Sequence, residues 1–433
     1  MKKKKILFIA YQFPPFGGSH STRTLAIANE LVKENDVYVV TVKLNNNFEI
    51  YDGELEKKID HRITKINLDF GILHKKHYNK KHKDESNEDM ARSKQFKKYI
   101  FSRLKKYKEY VLIPDPVIDW FPVVKKYVDK EIDNIQPDVI LSSATPYTCH
   151  MIGYYISKKY NKPLILDYGD PWVYEKSRKR GKFRFVVEKM IESRIIQHSK
   201  KIYITTETTK DLYIDKYRIE KEKLDVVPMG YYEDDFKENK ENKENKENKE
   251  NKINIIYGGT LNPIHRNPIP FFEAISELDK SIANNFNIEI YCNDTSYESL
   301  VNNMKISNII HFKGMVEHNK FMEKLKKFDV LLLFGNSSSV QIPGKIFNYI
   351  GSLSKIYMIN NMSNYKEDPT FNIIKDSGDN IFSINEKDAI KLTLESIYGM
   401  WDNGKLDKNS KEKALNYTWE NAIIPIKNYM KFI

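Results

Sequence analysis

The feature that most constrains the fold of this 433-residue chain is an alternation, run through twice, of short apolar runs and longer amphipathic stretches. In the first half the apolar runs are 6–10, 37–42, 139–142, 164–167, 202–205 and 225–227. In the second they are 254–258, 288–292, 309–313, 330–334, 356–359 and 380–382. Runs this short and this apolar read as strands buried on both faces. The segments between them, such as 23–33, 147–159 and 269–279, carry helical spacing. Strand, helix and strand in succession make right-handed βαβ units and therefore parallel sheets. The expectation is an α/β protein with two Rossmann-like domains in tandem.

The alternation is interrupted once, by "KENKENKENKENKENK" at 237–252, which holds no apolar residue. Such a run has nothing to bury against its ordering entropy and reads as a flexible spacer. Expected boundaries are a first domain over 1–235, the linker over 236–252, a second domain over 253–418 and a terminal helical segment over 419–433. Trp419 anchors that last segment, and Pro425 kinks or splits it. Hydrophobic residues at 40% and aromatics at 12% suffice for two cores. Cys149 and Cys292 stand far apart, with no disulfide or zinc spacing, which favours a reducing compartment. No run approaches the roughly 18 apolar residues of a spanning helix. The reading is a cytoplasmic chain.

Four stretches carry chemistry. "FPPFGGSHSTR" at 13–23 sets Gly17 and Gly18 between the first strand and a helix. Glycines admit close approach of an anion, and Ser19, Ser21 or Thr22 would cap the helix whose positive end faces the loop. The spacing is neither G-x-G-x-x-G nor a Walker loop. "LILDYGDPWVYE" at 164–175 delivers Asp167 and Asp170 to a strand end, where carboxylates orient a hydroxyl, accept its proton or merely start a turn. "YGGTLNPIHRN" at 257–267 repeats the glycine-pair theme with Arg266 in the loop, a side chain suited to a diphosphate. "FGNSSSVQIPGKIFNYIGS" at 334–352 puts Lys345 at a helix start, unfavourable unless an anion lies there.

In this order the stretches resemble glycosyltransferase family 4, the retaining sugar transferases of GT-B fold. "FPPFGGSHSTRTLAIANELVKENDVYVVT", "PDVILSSATPYTCHMIGYYISKKYNKPLILDYGDPW", "VVPMGYYEDDF", "IIYGGTLNPIHRNPIPFFEAI" and "HFKGMVEHNKFMEKLKKFDVLLLF" each resemble the family's segment at that place. The resemblance implies two Rossmann-like domains facing across a cleft, with the nucleotide-sugar mostly on the second and the acceptor mostly on the first. It implies no cofactor and no divalent metal, because amides and cations neutralise the departing diphosphate. By position it makes Asp170 the catalytic candidate. Gly17, Gly18, Gly259, Thr260, Arg266, Lys345 and Asn348 become donor-binding, and Asp167 and Trp172 acceptor-side. Three departures stand out. Gly169 replaces the usual Arg or His, Thr260 stands where an Arg often follows the glycine, and the E-x7-E pair is absent, its second position being Asn348.

The net charge of +12 is uneven: 75–108 holds thirteen Lys/Arg against four Asp/Glu, and "KSRKRGKFR" at 176–184 holds six basic residues in nine. Either is solvated surface or faces an acidic partner such as phospholipid. Phe96, Ile100, Leu104, Tyr107 and Val111 form one helical stripe among lysines, compatible with an anionic bilayer and hence with a peripheral place on the inner face of the plasma membrane. The expected partners are a nucleotide-sugar and a glycan or lipid-linked acceptor in cell-surface polysaccharide or glycolipid assembly. The rival readings are a GT-B-like nucleotide-sugar epimerase, an inactive structural homologue and a nucleic-acid-binding protein. The last is disfavoured because no nucleic-acid-binding signature occurs.

Overall fold

The computed structural model describes residues 3–46, 48, 50–71, 112–175, 180–236, 252–263, 266–292, 294, 296–316, 318–335, 342–362 and 364–433. The basic region 75–108, the stripe ending at 111, residues 176–179, most of the low-complexity run and residues 336–341 lie outside them. The chain divides into two compact units. Unit 1 is Met1–Pro228 with Ile423–Ile433, and unit 2 is Met229–Ala422.

Unit 1 is built on seven parallel strands: β1 (Lys5–Ile9), β2 (Asp36–Val42), β3 (Thr64–Leu68), β4 (Val139–Ala144), β5 (Leu164–Tyr168), β6 (Lys201–Ile204) and β7 (Leu224–Val226). Their order in the sheet is β3-β2-β1-β4-β5-β6-β7. Ile6 lies opposite Val37 on one side and Val139 on the other, which sets the register. The order reverses between β1 and β4, and the carboxyl ends of strands at such a reversal open onto a binding crevice. The apolar strands read from the sequence are all present. The sequence reading missed β3, "TKINL", because at the sheet edge it keeps polar and half-exposed side chains and lacks a continuous apolar run.

Unit 2 repeats the plan with six parallel strands: β8 (Ile253–Gly258), β9 (Phe286–Tyr291), β10 (Ile310–Phe312), β11 (Val330–Phe334), β12 (Lys355–Asn360) and β13 (Ile381–Ile384), in the order β10-β9-β8-β11-β12-β13. Alternate residues feed opposite layers. Ile255, Tyr257, Val330 and Leu332 pack with the helices Ile269–Ser276 and Lys387–Asp402. Ile256, Leu331 and Leu333 pack with Ile346, Phe347 and Ile350 of the helix Lys345–Ser352. The order reverses between β8 and β11.

The joins between units fall after Pro228 and after Ala422. Tyr231 sits in the unit 2 core, and its backbone pairs with Tyr417 and Trp419. Beyond Trp419–Ala422 the chain returns to unit 1 as the helix Ile424–Phe432. Pro425 lies in the first turn of that helix, where its missing N–H is not needed. The Tyr203 hydroxyl donates to Pro425 O at 3.3 Å, and Lys427 and Lys431 pair with Glu30 and Glu34.

Candidate active site

In unit 1 the loop after β1 is pinned by Gly17 N donating to Ile50 O at 2.7 Å. Gly18 takes φ 103°, a conformation L side chains rarely adopt, and serves as N-cap of the helix Ser19–Val32. None of the three expected caps acts as one. The helix starts earlier than its apolar pattern suggests, so Ser19, Ser21 and Thr22 already lie inside it. Thr22 bonds back to the Gly18 carbonyl, and the Ser21 hydroxyl is buried without a partner among the described residues. The amides of the first turn are thus not taken up by a side-chain cap.

Asp167 reaches the site from β5 but is not free to touch an acceptor. It is fully buried, and Arg23 grips it with Nη2 at 2.6 Å and Nε at 3.1 Å from both oxygens. Arg23 also donates to the carbonyls of Val227 and Pro228, tying the first helix to the end of the unit. Burial would raise the Asp167 carboxyl, but Arg23 and Ser143 hold it below its ordinary value. Ser143 Oγ donates to Asp167 at 2.6 Å and also contacts His20 Nε2 at 3.2 Å. A hydroxyl has one proton, and Asp167 receives it. The pattern therefore assigns the His20 proton to Nε2 and leaves Nδ1 with its lone pair. Burial, opposed by Asp167 and reinforced by Arg23, lowers the His20 pKa to about 4. At neutral pH the ring is an uncharged acceptor.

His20 also accounts for Gly169. A Cβ at that position would stand 2.7 Å from His20 Nδ1 and 3.2 Å from Ala144 O. The imidazole occupies the space that a side chain at 169 would need. Asp170, two residues beyond β5, is partly exposed at this strand end. Trp172 is placed differently from the acceptor-side expectation. It is fully buried and stacks on Tyr147 at 5.0 Å, a core position fixed by the apolar layer under β5. Glu192 holds this loop from below, accepting from Val173 N at 3.0 Å, Tyr213 at 2.7 Å and Tyr217.

In unit 2 the expected donor-side residues gather at the β8 end. Gly259 has φ 145°, and a Cβ there would lie 2.8 Å from Lys345 Nζ. Lys345 is the first residue of its helix, behind the N-cap Gly344, and donates to Gly258 O at 2.7 Å. Its ammonium stands 4.4 Å from the Tyr257 ring centre. The Tyr257 hydroxyl donates to Thr260 O at 3.0 Å and sits beside the Arg266 guanidinium. Arg266 itself is set by paired backbone bonds with Asn262. Burial, with Arg266 nearby, lowers the Lys345 pKa to about 7. No carboxylate among the described residues pairs with Lys345. Asn348 is partly exposed one turn further along the same helix face. Two neighbouring cations, glycine backbone and a helix start make a niche for an anion of more than one charge.

The sequence reading missed His20, Arg23, Ser143, Tyr257 and Tyr349, whose hydroxyl receives Gly258 N at 3.3 Å. Partners such as Arg23 and Asp167 are 144 positions apart, beyond any local pattern. The one local hint was the polar "HSTR" after the glycines, at the start of an otherwise apolar helix.

The two parallel sheets, seven strands in one unit and six in the other, are those of the GT-B fold. Within the chain, residues 86–234 match the model of Glycosyltransferase Family 4. Among solved structures, a glycosyltransferase from Rickettsia africae ESF-5 superposes with TM-score 0.63 at 14% identity, covering 99% of this chain and 98% of that one. Sucrose-phosphate synthase from Thermosynechococcus elongatus gives 0.62 at 12% identity, covering 99% and 98%. Anabaena HepE, in complex with UDP and glucose, gives 0.61 at 10% identity, covering 99% and 100%. At these identities the likeness is one of fold. No curated protein matches the sequence.

Proposed function

We propose that this protein transfers a sugar from a nucleotide-diphosphate-sugar to a glycan or lipid-linked acceptor, with retention at the anomeric carbon and without a divalent metal. The observation that carries the reading is the Lys345–Arg266 niche against Gly258 and Gly259. As the anomeric C–O bond to the diphosphate breaks, negative charge grows on the leaving phosphate, and preorganised cations there stabilise it more than they stabilise the ground state. On the acceptor side, Asp170 orients the incoming hydroxyl or the sugar. His20 Nδ1 offers a neutral acceptor against Gly169, and Gly17–Gly18 with the uncapped helix start gives anion-compatible backbone. The HepE complex with UDP supports a uridine nucleotide as the first donor to try. The reading places the work in cell-surface polysaccharide or glycolipid assembly at the inner face of the plasma membrane. No described helix is long and apolar enough to cross a membrane.

The test is a thermal-shift panel of UDP-, GDP- and TDP-sugars on the full chain, followed by NMR of the product's anomeric proton. One nucleotide class should raise Tm, and Lys345→Gln should weaken its binding about 10- to 100-fold, the worth of one charge-assisted hydrogen bond. Turnover of the donor into an epimer with no acceptor present would instead make the protein an epimerase. A panel in which nothing binds would refute the donor site.

A further inference from the structure

Three of the eight exposed large apolar side chains among the described residues lie on one helix, Lys182–His198 of unit 1. Phe183 is 66% exposed, Val186 53% and Met190 51%. Their spacing of three and four puts them on one face. The cations around them are arranged to match. Lys182 and Lys189, seven residues apart, border the stripe, and exposed Arg194 lies at its far end. None of the three pairs with a carboxylate among the described residues.

The acids of this helix are all turned inward. Glu188 is buried and taken up by Arg180 and Arg184, at 2.8 and 2.6 Å, and Glu192 is buried among tyrosines. So the basic run at 176–184 is divided: Arg180 and Arg184 serve the interior, and Lys182 faces water. The inner face has its own apolar set, Ile195 and Ile196, which explains why the sequence shows no one-sided pattern. Beyond Arg194 the surface continues into an open groove of about 460 Å³ lined by Tyr154, Lys158, Lys159 and others. Asp129, which accepts a hydrogen bond from the hydroxyl of Tyr155 in this groove, is paired with both Lys125 and Lys159.

A helix face whose exposed groups are aliphatic, aromatic and cationic, with both acids of the helix turned inward, fits a surface that is apolar inside and anionic at its border. We propose that the Phe183–Val186–Met190 stripe with Lys182, Lys189 and Arg194 docks unit 1 on an anionic bilayer. This rests on the glycosyltransferase reading only in its purpose, which is to bring a lipid-linked acceptor within reach. Docking can succeed or fail independently of donor chemistry.

The test uses the full chain and vesicles of phosphatidylcholine alone or mixed with phosphatidylglycerol, read by co-sedimentation. Transfer to a water-soluble acceptor and nucleotide binding are measured separately. Wild type should bind the mixed vesicles and release at high salt. Lys182→Glu with Lys189→Glu should weaken binding at least 25-fold, since each cation near an anionic surface contributes roughly fivefold. Phe183→Ser with Met190→Ser should weaken it at least tenfold, with melting and nucleotide binding unchanged in both variants. Vesicle binding unaffected by either pair overturns the proposal and assigns attachment elsewhere. Loss with the charge pair alone points to a polyanion and overturns the bilayer. A wild-type dimer that the serine pair converts to monomer, without change in vesicle binding, makes the occupant a second copy and overturns it too.

Discussion

At the scale of single residues, two charges, a half-buried Lys345 and a fully buried Asp167, set the behaviour of the site in opposite ways. Lys345 has a pKa lowered to about 7, so much of it is neutral above that pH until an anion arrives. Binding a diphosphate should restore its proton. Nucleotide affinity should therefore fall as pH rises from 7 toward 9, by up to about tenfold per unit. Calorimetry at pH 8 in buffers of different ionisation enthalpy should show proton uptake, and Lys345→Gln should remove both effects. Asp167 is the reverse case, a carboxylate kept ionised by Arg23. Its folded pKa lies below the unfolded one, so its stabilisation is full above the ordinary carboxylate range and is lost as pH falls. Arg23→Met strands that charge and should cost about 3–5 kcal/mol in denaturant unfolding at pH 7. The acid limb of stability should flatten in the variant. Gly169 offers a third measurement. Gly169→Ala must displace His20, so the stability cost of Gly169→Ala and His20→Ala together should differ from their sum by about 0.5–3 kcal/mol.

At the scale of elements, the strands were legible because parallel strands buried on both faces are continuous apolar runs, and the loops because glycine and proline punctuate them. β3 escaped because an edge strand keeps polar side chains. The helix caps escaped because a backbone turn at Gly18, not a serine, ends the loop. The site was legible where one loop supplies it, as at Gly259, Thr260 and Arg266. It was hidden where partners come from different strands, as in the run His20–Ser143–Asp167–Arg23. The terminal helix shows how much one short element can carry. Ile423, Ile426 and Met430 are buried to 2% exposure or less. Ile426→Ala should cost about 2–5 kcal/mol, the usual result of emptying a well-packed aliphatic site. Removing 423–433 should drop the yield of soluble protein, because that loss is a large part of a typical 5–15 kcal/mol of stability. Thermal melts and the soluble fraction on expression measure both.

At the scale of the molecule, unit 1 is built from two pieces of chain with all of unit 2 between them, and each unit closes its own parallel sheet over its own core. The buried ion-pair network belongs wholly to unit 1, and the cationic niche wholly to unit 2. That division makes a prediction about where a nucleotide without its sugar acts. UDP that uses Lys345 and Arg266 stabilises the unit that holds them, by about 2.7 kcal/mol at a hundredfold excess over Kd. Hydrogen exchange of the full chain with saturating UDP should slow amides around Tyr257–Leu261 and at the start of the helix Lys345–Ser352, in the β8 and β11 neighbourhoods. Lys345→Gln should remove most of that protection while leaving the amides of β4 and β5 as slow as before. Slowing confined to unit 1 would mean that the two cations serve the fold of unit 2 and not a ligand, and the donor would have to be sought around Gly17 and Gly18 instead.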